Sequence, residues 1–389
     1  MNVCAISFKP CWQDGSGRWV SDGGFPLQMT GIRSLFDEMT LIITGSRPAG
    51  GGIPLPADMN VVPIRLPDGW NLRRKISFLA NILYYVRIIT PHIRRCDVVH
   101  LPVPGDIPFL GIVIALLFRK RIIVRYGSSW VGTSQETMMT RVTKLIMRTF
   151  AGGRNVMMTT GDGPAPPARG VSWIFSTAIT AEELRTIPYD PSRLPGNSPA
   201  LAYVGRLSGE KGVGNLIAAM AALSKEGGCT LPQCWIIGDG PERRMLEDQT
   251  ARAGLGTHIH FAGQLDRQSL SGKLKECDFC VQPSLSEGFS KAWLDAFAHG
   301  LPVLASDVGA ASSVIGGNGL RGWLVPPGNV PALALQLRRV LTEPIDWPAL
   351  RRRCREYTEK RTLDVWAAEI GRICASQWNM KVVGGKIRP

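Results

Sequence analysis

The sequence lacks the features that would direct it into or through a membrane. Its longest apolar run, Ile107 to Phe118, has 12 residues, whereas a helix needs about 20 to span a bilayer. The opening segment, Met-Asn-Val-Cys-Ala-Ile-Ser-Phe, has the pattern of a short buried strand, without the basic and apolar segments of a signal peptide. The nine cysteines are an odd number, which does not favour a disulfide framework. We therefore expect a cytoplasmic protein.

Motifs for metals and for common nucleotide cofactors are also missing. Cys277 and Cys280 form a CxxC pair, but no second pair at zinc-site spacing accompanies it. Because Phe279, Cys280 and Val281 have the pattern of a buried strand, we expect structural cysteines rather than zinc or redox chemistry. The Gly-rich stretches after the first strand do not form a GxGxxG motif, and the chain has no P-loop and no Asp-x-Asp pair. We expect no cofactor and no metal.

Acidic residues are scarce relative to basic ones, and the formal net charge is +14. Residues 1–190 contain 21 Lys and Arg against 13 Asp and Glu, residues 191–337 contain 12 of each, and residues 338–389 contain 12 against 6. This distribution favours a docking surface for something anionic, such as membrane headgroups. A solvated basic surface without a partner is the alternative. Because no recognisable nucleic-acid-binding motif is present, we expect no nucleic-acid partner.

What the sequence does contain is a regular alternation of strand-like and helical segments, which is typical of βαβ units around parallel sheets. A segment with four prolines, 187–199, interrupts the alternation and is the predicted linker. We predict an α/β protein with two Rossmann-like domains whose parallel sheets face a central cleft, with domains at 1–190 and 198–345. A helical tail at 346–389 is predicted to pack back on the N-terminal domain. Strands are predicted at 3–7, 41–44, 98–101, 122–125, 157–160, 201–204, 235–237, 259–262, 279–282, 303–305 and 322–325.

The loop after the first strand of the second half has the chemistry of a phosphate site. It runs from Tyr203 to Gly212, between a strand and a helix, and contains Gly205, Arg206 and Lys211. Glycine lets the backbone turn, and the two cations lie beside a helix N-terminus, which itself attracts anions. Arg offers a planar fork to phosphate oxygens and Lys a compact charge. We predict a diphosphate site here; an ordinary loop with solvated charges is the alternative.

Two later loops end at the same edge of the predicted sheet, where open parallel sheets bind ligands. Gly238 and Gly240 follow the next strand and allow close approach by a ligand or a neighbouring backbone. Glu287 precedes a helix and Asp295 lies within it, eight positions on; we predict that they contact sugar and ribose hydroxyls. A helix cap at Glu287 and an exposed position at Asp295 are the alternative. The amides of the intervening loop are predicted to face the same pocket, at Gly288, Phe289 and Ser290.

In this order and spacing, these motifs resemble the retaining glycosyltransferases of the GT-B fold, specifically glycosyltransferase family 4 (group 1). The resemblance covers about 201–328 and rests on a Gly-Arg…Glu-Lys-Gly loop, a Gly-Asp-Gly-Pro loop, and two acids eight positions apart in a Glu-Gly-Phe context. It implies that Arg206 and Lys211 neutralise the departing donor diphosphate, that Glu287 contacts the transferred sugar, and that Asp295 holds the ribose. Members of the family generally need no metal.

The chain departs from the family pattern at several positions. Asp295 stands where the family usually has Glu, which shortens the reach to the ribose. In the first half, the Gly-rich stretch that includes Gly23 and Gly24 resembles the family loop that approaches the donor phosphate and the acceptor. A family His appears here as Tyr126, so a His-dependent catalytic scheme does not carry over. His100 ends a predicted strand and either faces the cleft or is a satisfied strand-end residue.

A basic amphipathic segment lies in the predicted acceptor domain. A basic first turn at 72–75 is followed by Ile76, Leu79, Leu83 and Val86 at helical spacing, within one predicted helix at 71–90. Packing against the core of a βαβ crossover explains this pattern. Peripheral binding to anionic lipid at the inner face of the plasma membrane is the alternative.

The sequence thus predicts a retaining glycosyltransferase of the hexosyltransferase type. Its substrates would be a nucleoside diphosphate sugar and a saccharide or lipid-linked saccharide acceptor, in bacterial surface or exopolysaccharide synthesis. Two alternatives are a nucleotide-sugar epimerase of the same fold, which would convert the donor without an acceptor, and a catalytically degenerate scaffold, which would hold a partner or a membrane.

Overall fold

The computed structural model describes residues 1–46, 52–69, 71–130, 136–317 and 319–389, and the chain divides into two compact units. Unit 1 comprises Met1–Ala178 with Leu363–Pro389, and unit 2 comprises Ile179–Thr362. The predicted boundary at 190 is therefore too late, and the proline-rich segment lies inside unit 2. The predicted helical tail at 346–389 does not belong to one unit. Its first helix, Trp347–Glu359, belongs to unit 2, and its second, Leu363–Trp378, belongs to unit 1.

Residues 1–178 alternate strands with helices, as the sequence pattern predicts. The strands are β1 Asn2–Gln13, β2 Trp19–Ser21, β3 Glu38–Gly45, β4 Ile53–Pro54, β5 Asn60–Arg65, β6 Val98–Val103, β7 Arg121–Tyr126, β8 Asn155–Thr160 and β9 Val171–Ile174. The helices are α1 Phe25–Ser34, α2 Asn71–Ala80, α3 Ile82–Arg95, α4 Asp106–Leu117 and α5 Met138–Phe150.

Unit 2 repeats the alternation around six parallel strands in the order β12-β11-β10-β13-β14-β15. These are β10 Ala200–Val204, β11 Gln233–Ile237, β12 Ile259–Gly263, β13 Phe279–Gln282, β14 Val303–Ser306 and β15 Gly322–Val325. The helices are α6 Ala181–Thr186, α7 Val213–Glu226, α8 Arg243–Arg252, α9 Arg267–Glu276, α10 Lys291–Ala298, α11 Ala311–Ile315, α12 Val330–Thr342 and α13 Trp347–Glu359. The six predicted strands of this half all lie within β10–β15, because each is a short apolar run bounded by turn residues.

The last segment of the chain completes unit 1. It contains α14 Leu363–Trp378 and a small antiparallel pair, β16 Lys381–Val383 and β17 Lys386–Arg388. Trp366, Ile370 and Cys374 are fully buried in the same apolar cluster as residues of α1 and the sheet. An apolar helix face of this kind is stabilised by removal from water, so α14 is part of the unit 1 core.

The sheet of unit 1 contains seven parallel strands in the order β5-β3-β1-β6-β7-β8-β9. The short strands β2 and β4 extend it antiparallel beside the end of β1. Parallel strands covered on both faces are apolar along their length; in β6, Val98, Val99 and Leu101 are all fully buried. The carboxyl ends of these strands share one edge of the sheet.

The helix predicted at 71–90 is in fact two helices, because the chain bends by 64° between α2 and α3. Asn81 lies at the break, where its side-chain amide donates to the carbonyl of Ser77 at 2.8 Å. Asparagine favours such positions because its side chain competes for backbone hydrogen bonds. Within the described ranges, no single helix is long and apolar enough to cross a bilayer, and only the bent pair α2–α3 meets the length and composition criteria.

Candidate functional site

Two glycines bring neighbouring loops of unit 2 into backbone contact at the carboxyl edge of its sheet. A Cβ on Gly238 would lie 1.9 Å from the carbonyl oxygen of Gly205, and one on Gly240 would lie 2.3 Å from that of Leu207. The Gly205 amide also donates to the carbonyl of Ile237 at 2.9 Å. The close approach expected of Gly238 and Gly240 is therefore an approach to a neighbouring loop, which fixes the path of the loop after β10.

A second set of contacts joins that loop to the loop after β13. A Cβ on Gly212, whose φ is +65°, would lie 2.1 Å from the carbonyl oxygen of Pro283. The amide of Leu285 donates to the carbonyl of Glu210 at 2.8 Å. The two loops that carry the predicted charged residues are thus held against each other by their backbones.

Lys211 and Glu287 form an ion pair across these two loops. Lys211 Nζ lies 2.5 Å from Glu287 Oε2, and the side chains are 23% and 13% exposed. Charges that are partly removed from water interact more strongly than fully solvated ones. The alternative of Glu287 as a helix cap is wrong, because Ser290 is the N-cap residue of α10 and no side chain caps this helix.

Arg206 projects from the same loop and is exposed. Within the part of the chain that the structure describes, no carboxylate forms an ion pair with it. Its backbone is fixed, because the hydroxyl of the buried Tyr203 donates to the Arg206 carbonyl at 2.9 Å. Burial and then the negative charge of Glu287 raise the pKa of Tyr203, so this hydroxyl remains a neutral donor. The loop therefore presents one paired cation and one unpaired cation.

The segment Gly288–Ser290 leads into α10 from this charged pair. Phe289 is buried, and its ring centroid lies 5.8 Å from that of Trp293 on the helix. The amide of Ala310 donates to the carbonyl of Gly288 at 2.9 Å, which fixes the segment from the other side. Among the residues described, none accepts a hydrogen bond from the amides of Gly288, Phe289 or Ser290. These amides and the N-terminus of α10 form a site that favours an anion.

Asp295 lies on α10 and faces a neighbouring helix. Its Oδ1 lies 3.5 Å from Nη2 of Arg267 on α9, and the same guanidinium lies 2.6 Å from Glu183 on α6. The Asp295 side chain is 16% exposed, so the alternative of an exposed helix position is wrong. Burial raises the pKa of Asp295, and Arg267 opposes that shift. Sequence reasoning does not find Arg267 or Glu183, because neither belongs to a motif and their pairing depends on how three helices pack.

His100 differs most from expectation among the candidates in unit 1. It lies within β6, is 0% exposed, and neither ring nitrogen has a hydrogen-bond partner. Burial and then the charge of Arg125 lower its pKa well below the ordinary value. The alternative of a satisfied strand-end residue is wrong, because β6 continues to Val103 and the ring nitrogens have no partner among the described residues.

The other candidates in unit 1 also have mainly structural environments. Tyr126 ends β7, is 1% exposed, and packs edge-on against Trp130 at 5.8 Å. Its ring is therefore packed within unit 1, and its part in an acceptor site stays a prediction. Gly23 has a φ of +63° with open space around it, and Gly24 is the N-cap residue of α1. The glycine pair thus allows the turn that begins α1.

The cysteines of the CxxC pair have no reactive environment. Cys277 and Cys280 are buried free thiols, and burial raises the pKa of Cys277 to about 12 and raises that of Cys280 as well. The thiolate, which is the form that binds metals and attacks substrates, is therefore disfavoured. Within the described ranges, no group of three or more His, Cys, Asp or Glu residues is placed to hold a metal.

Comparison with known proteins relates this site to one family. Residues 189–361, which lie inside unit 2, match the family model described as glycosyl transferases group 1. The chain is 36% identical over 175 residues to glycogen synthase of Mycobacterium tuberculosis, covering 44% of this chain and 41% of that protein. It is 28% identical over 235 residues to 2-deoxystreptamine glucosyltransferase of Streptomyces kanamyceticus, covering 58% and 60%. The chain thus spans less than two thirds of the length of these relatives.

The whole chain resembles solved structures of similar architecture. HepE of Anabaena, crystallised with UDP and glucose, matches with a TM-score of 0.71 and 16% identity, over 97% of this chain and 100% of that one. At this identity the likeness bears on the fold alone. The two parallel-sheet units and these neighbours identify the fold as GT-B. The match to the family of group 1 glycosyl transferases therefore concerns the part of the chain that forms most of unit 2.

Proposed function

We propose that the protein transfers a sugar from a nucleoside diphosphate sugar to a saccharide or lipid-linked saccharide acceptor, with retention of the anomeric configuration. The family relationship supports the reaction class. The presence of UDP and glucose in crystals of HepE supports a nucleotide-sugar donor. In this proposal the protein is a family 4 enzyme of the hexosyltransferase type, and its product belongs to a bacterial surface polysaccharide or exopolysaccharide.

The observation that carries the proposal is the charge arrangement around Lys211. The lysine is held by Glu287 at 2.5 Å, while Arg206 in the same loop is exposed. Close by, the amides of Gly288–Ser290 precede α10. Such a set suits a diphosphate, because guanidinium, ammonium and helix N-terminal amides all favour phosphate oxygens.

The proposed chemistry follows from where negative charge develops. When the bond between the sugar and the diphosphate breaks, charge builds on the departing phosphate oxygen, and Arg206 and Lys211 stabilise it. Because their backbones are already fixed, little reorganisation is needed as the charge appears. Glu287 holds the lysine in place and accepts hydrogen bonds from hydroxyls of the transferred sugar. We propose that these cations serve without a metal.

Asp295 is proposed to hold the ribose of the donor through hydrogen bonds to its hydroxyls. Arg267 would position it, because the guanidinium contacts both Asp295 and Glu183. Burial raises the pKa of Asp295 and the guanidinium of Arg267 opposes that shift, so the contact favours the charged carboxylate, which is the stronger hydrogen-bond acceptor.

The direct test is a panel of nucleoside diphosphate sugars with the full-length protein. A donor should raise the melting temperature, since a ligand that binds the native state stabilises it. In the presence of an acceptor, nucleoside diphosphate should be released and a product with the donor's anomeric configuration should form. Conversion of the donor without an acceptor would instead indicate an epimerase. A scaffold would consume no donor under any condition, and an inverted product would contradict retention.

A further inference from the structure

The helices α2 and α3 carry a stripe of aliphatic side chains that stay exposed among the residues that the structure describes. Leu72, Ile76, Leu79 and Leu83 follow one another at helical spacing and are 70%, 60%, 62% and 80% exposed. The expectation of packing on the core is therefore wrong for Ile76, Leu79 and Leu83, whereas Val86 does pack against the core. The buried positions of the two helices are different ones, namely Phe78, Tyr85, Ile89 and Ile93.

Helix α5 has a second stripe of the same kind. Met138, Leu145 and Phe150 are 70%, 62% and 46% exposed, while Thr143 and Met147 face the core. A single exposed leucine needs no explanation, but several large apolar side chains on neighbouring elements indicate an interaction surface. We call the exposed stripes of α2, α3 and α5 together the apolar-basic face.

The starts of α2 and α5 line one cavity of about 470 Å³ at the carboxyl edge of the unit 1 sheet. Leu72 and Lys75 line it from α2, and Thr137 and Met139 line it from the start of α5. Asp106, which is 1% exposed and lies 3.0 Å from Arg74, contributes a buried charge to the wall. The helices that carry the two stripes therefore begin side by side in unit 1.

Cations alternate with the aliphatic side chains on this face. The helices α2, α3 and α5 contain nine Lys and Arg and no Asp or Glu. Arg73, Lys75 and Arg87 are exposed beside the first stripe, and Arg141 and Arg148 beside the second. Aliphatic residues interleaved with exposed cations are the pattern of helices that lie in the interface of an anionic bilayer.

The charge also argues against other occupants. A twofold contact between copies would bring like-charged faces together, and no acid on these helices could offset the repulsion. Single-stranded nucleic acid is usually bound on exposed aromatic side chains, whereas the exposed residues of the α2–α3 stripe are aliphatic. An anionic lipid surface matches both the cations and the aliphatic side chains.

We propose that the apolar-basic face docks unit 1 on an anionic lipid bilayer, with its aliphatic side chains in the boundary between headgroups and acyl chains. The cations contact lipid phosphates, and the cavity opens beside the surface. This inference rests on unit 1 alone and does not depend on the proposed function. If the sugar transfer is also correct, an acceptor with an anionic head and an apolar tail would reach the cavity from the bilayer.

The test is co-sedimentation of the full-length protein with vesicles of phosphatidylcholine, with or without phosphatidylglycerol, in the absence of any donor. Wild type should bind the anionic vesicles, and added salt should weaken binding. The double variant Leu79→Asp/Leu83→Asp should bind about tenfold more weakly or worse, because it removes aliphatic burial and adds like charge. Leu335→Asp, at a position on α12 that is 52% exposed, is the matched control and should bind as wild type.

A second variant keeps the proposal falsifiable if the first does not fold. Lys75→Glu/Arg87→Glu should lower binding to anionic vesicles by about fivefold or more for each reversed charge. Failure of wild type to bind, or equal binding to both kinds of vesicle, would overturn the proposal. The proposal would also be overturned if the double aspartate variant still bound vesicles but no longer formed a dimer that wild type forms in solution. The same holds if the variant still bound vesicles but no longer bound an oligonucleotide that wild type binds.

Discussion

The two units of this molecule use positive charge in different ways. In unit 2, Lys211 is held by Glu287 and the loops around it are fixed by backbone contacts at glycines. In unit 1, three helices contain nine Lys and Arg and no acid; Arg74 and Lys144 pair with acids outside these helices, whereas Arg73, Lys75, Arg87 and Arg148 are exposed beside aliphatic side chains. The first arrangement suits a small ligand bound at defined distances. The second suits an extended surface, where total charge matters more than the position of each group.

The strongest test of the fixed arrangement in unit 2 is removal of its cations. Lys211→Ala or Arg206→Ala should each lower the rate of transfer by about 10²–10³-fold, because a preorganised charge opposite the departing diphosphate is lost. The melting temperature should change little, since both side chains are at least partly exposed. Lys225→Ala, at an exposed position of α7, should transfer at the wild-type rate. Wild-type rates in all three variants would mean that neither cation contributes to transfer, and that the charges of unit 2 have no special role compared with those of unit 1.

The second test concerns the backbone contacts between the loops of unit 2, which should contribute strongly to its free energy of unfolding. Gly238→Ala should destabilise unit 2 by about 3 kcal/mol, because the new Cβ would collide with the Gly205 carbonyl and the φ of +137° is strained for alanine. The matched variant Gly227→Ala, at φ +65° with open space, should lose only about 1 kcal/mol. Urea denaturation of the full chain measures both. Equal losses would show that backbone contact does not hold the loops.

The buried histidine of unit 1 should make that unit sensitive to acid. Because burial lowers the pKa of His100 in the folded state, only the unfolded chain binds its proton as pH falls below about 6.5. The contribution of His100 to the free energy of unfolding is therefore fully present above that pH. As the pH falls towards the pKa of the folded state, this contribution decreases by at most about 1.4 kcal/mol per pH unit.

His100→Phe should flatten this dependence in urea unfolding between neutral and mildly acidic pH. Identical pH profiles for wild type and His100→Phe would show that another group causes the acid sensitivity.

The smallest expected effect is a change in the affinity for nucleoside diphosphate when Glu287, the acid of the Lys211–Glu287 ion pair, is replaced. Glu287→Gln should bind nucleoside diphosphate a few-fold more tightly, because Lys211 is freed and one negative charge is removed. Its rate of transfer should fall, since Glu287 is proposed to contact the sugar. Titration calorimetry with UDP and GDP measures the affinity, with Glu226→Gln at the far end of α7 as the charge-matched control. Weaker binding in Glu287→Gln would mean that the carboxylate supports the diphosphate directly.

Short apolar runs and glycine-rich motifs predict where the strands and loops of unit 2 lie. They do so because the conformation of such a segment, for example Gly-Asp-Gly-Pro, depends mainly on residues close to it in the sequence. The partners of Asp295 could not be predicted, since Arg267 and Glu183 reach it only through the packing of separate helices. The environment of His100 could not be predicted either, because its burial depends on the elements that cover the sheet as well as on its own strand. Helical spacing identified the stripe on α2 and α3, but spacing cannot distinguish a face that packs on the core from one that faces outward.

The position of α14 has a consequence for how the chain is made. Unit 2 is contiguous in sequence, so all of its core residues have been synthesised once residue 362 is added. Unit 1 begins before unit 2 and is completed after it, because Trp366, Ile370 and Cys374 in its core follow the last residue of unit 2. Its sheet must therefore wait, with one apolar face uncovered, while the whole of unit 2 is translated. A fragment ending at residue 178 would expose that face permanently, whereas a fragment covering 179–362 would keep its own core intact.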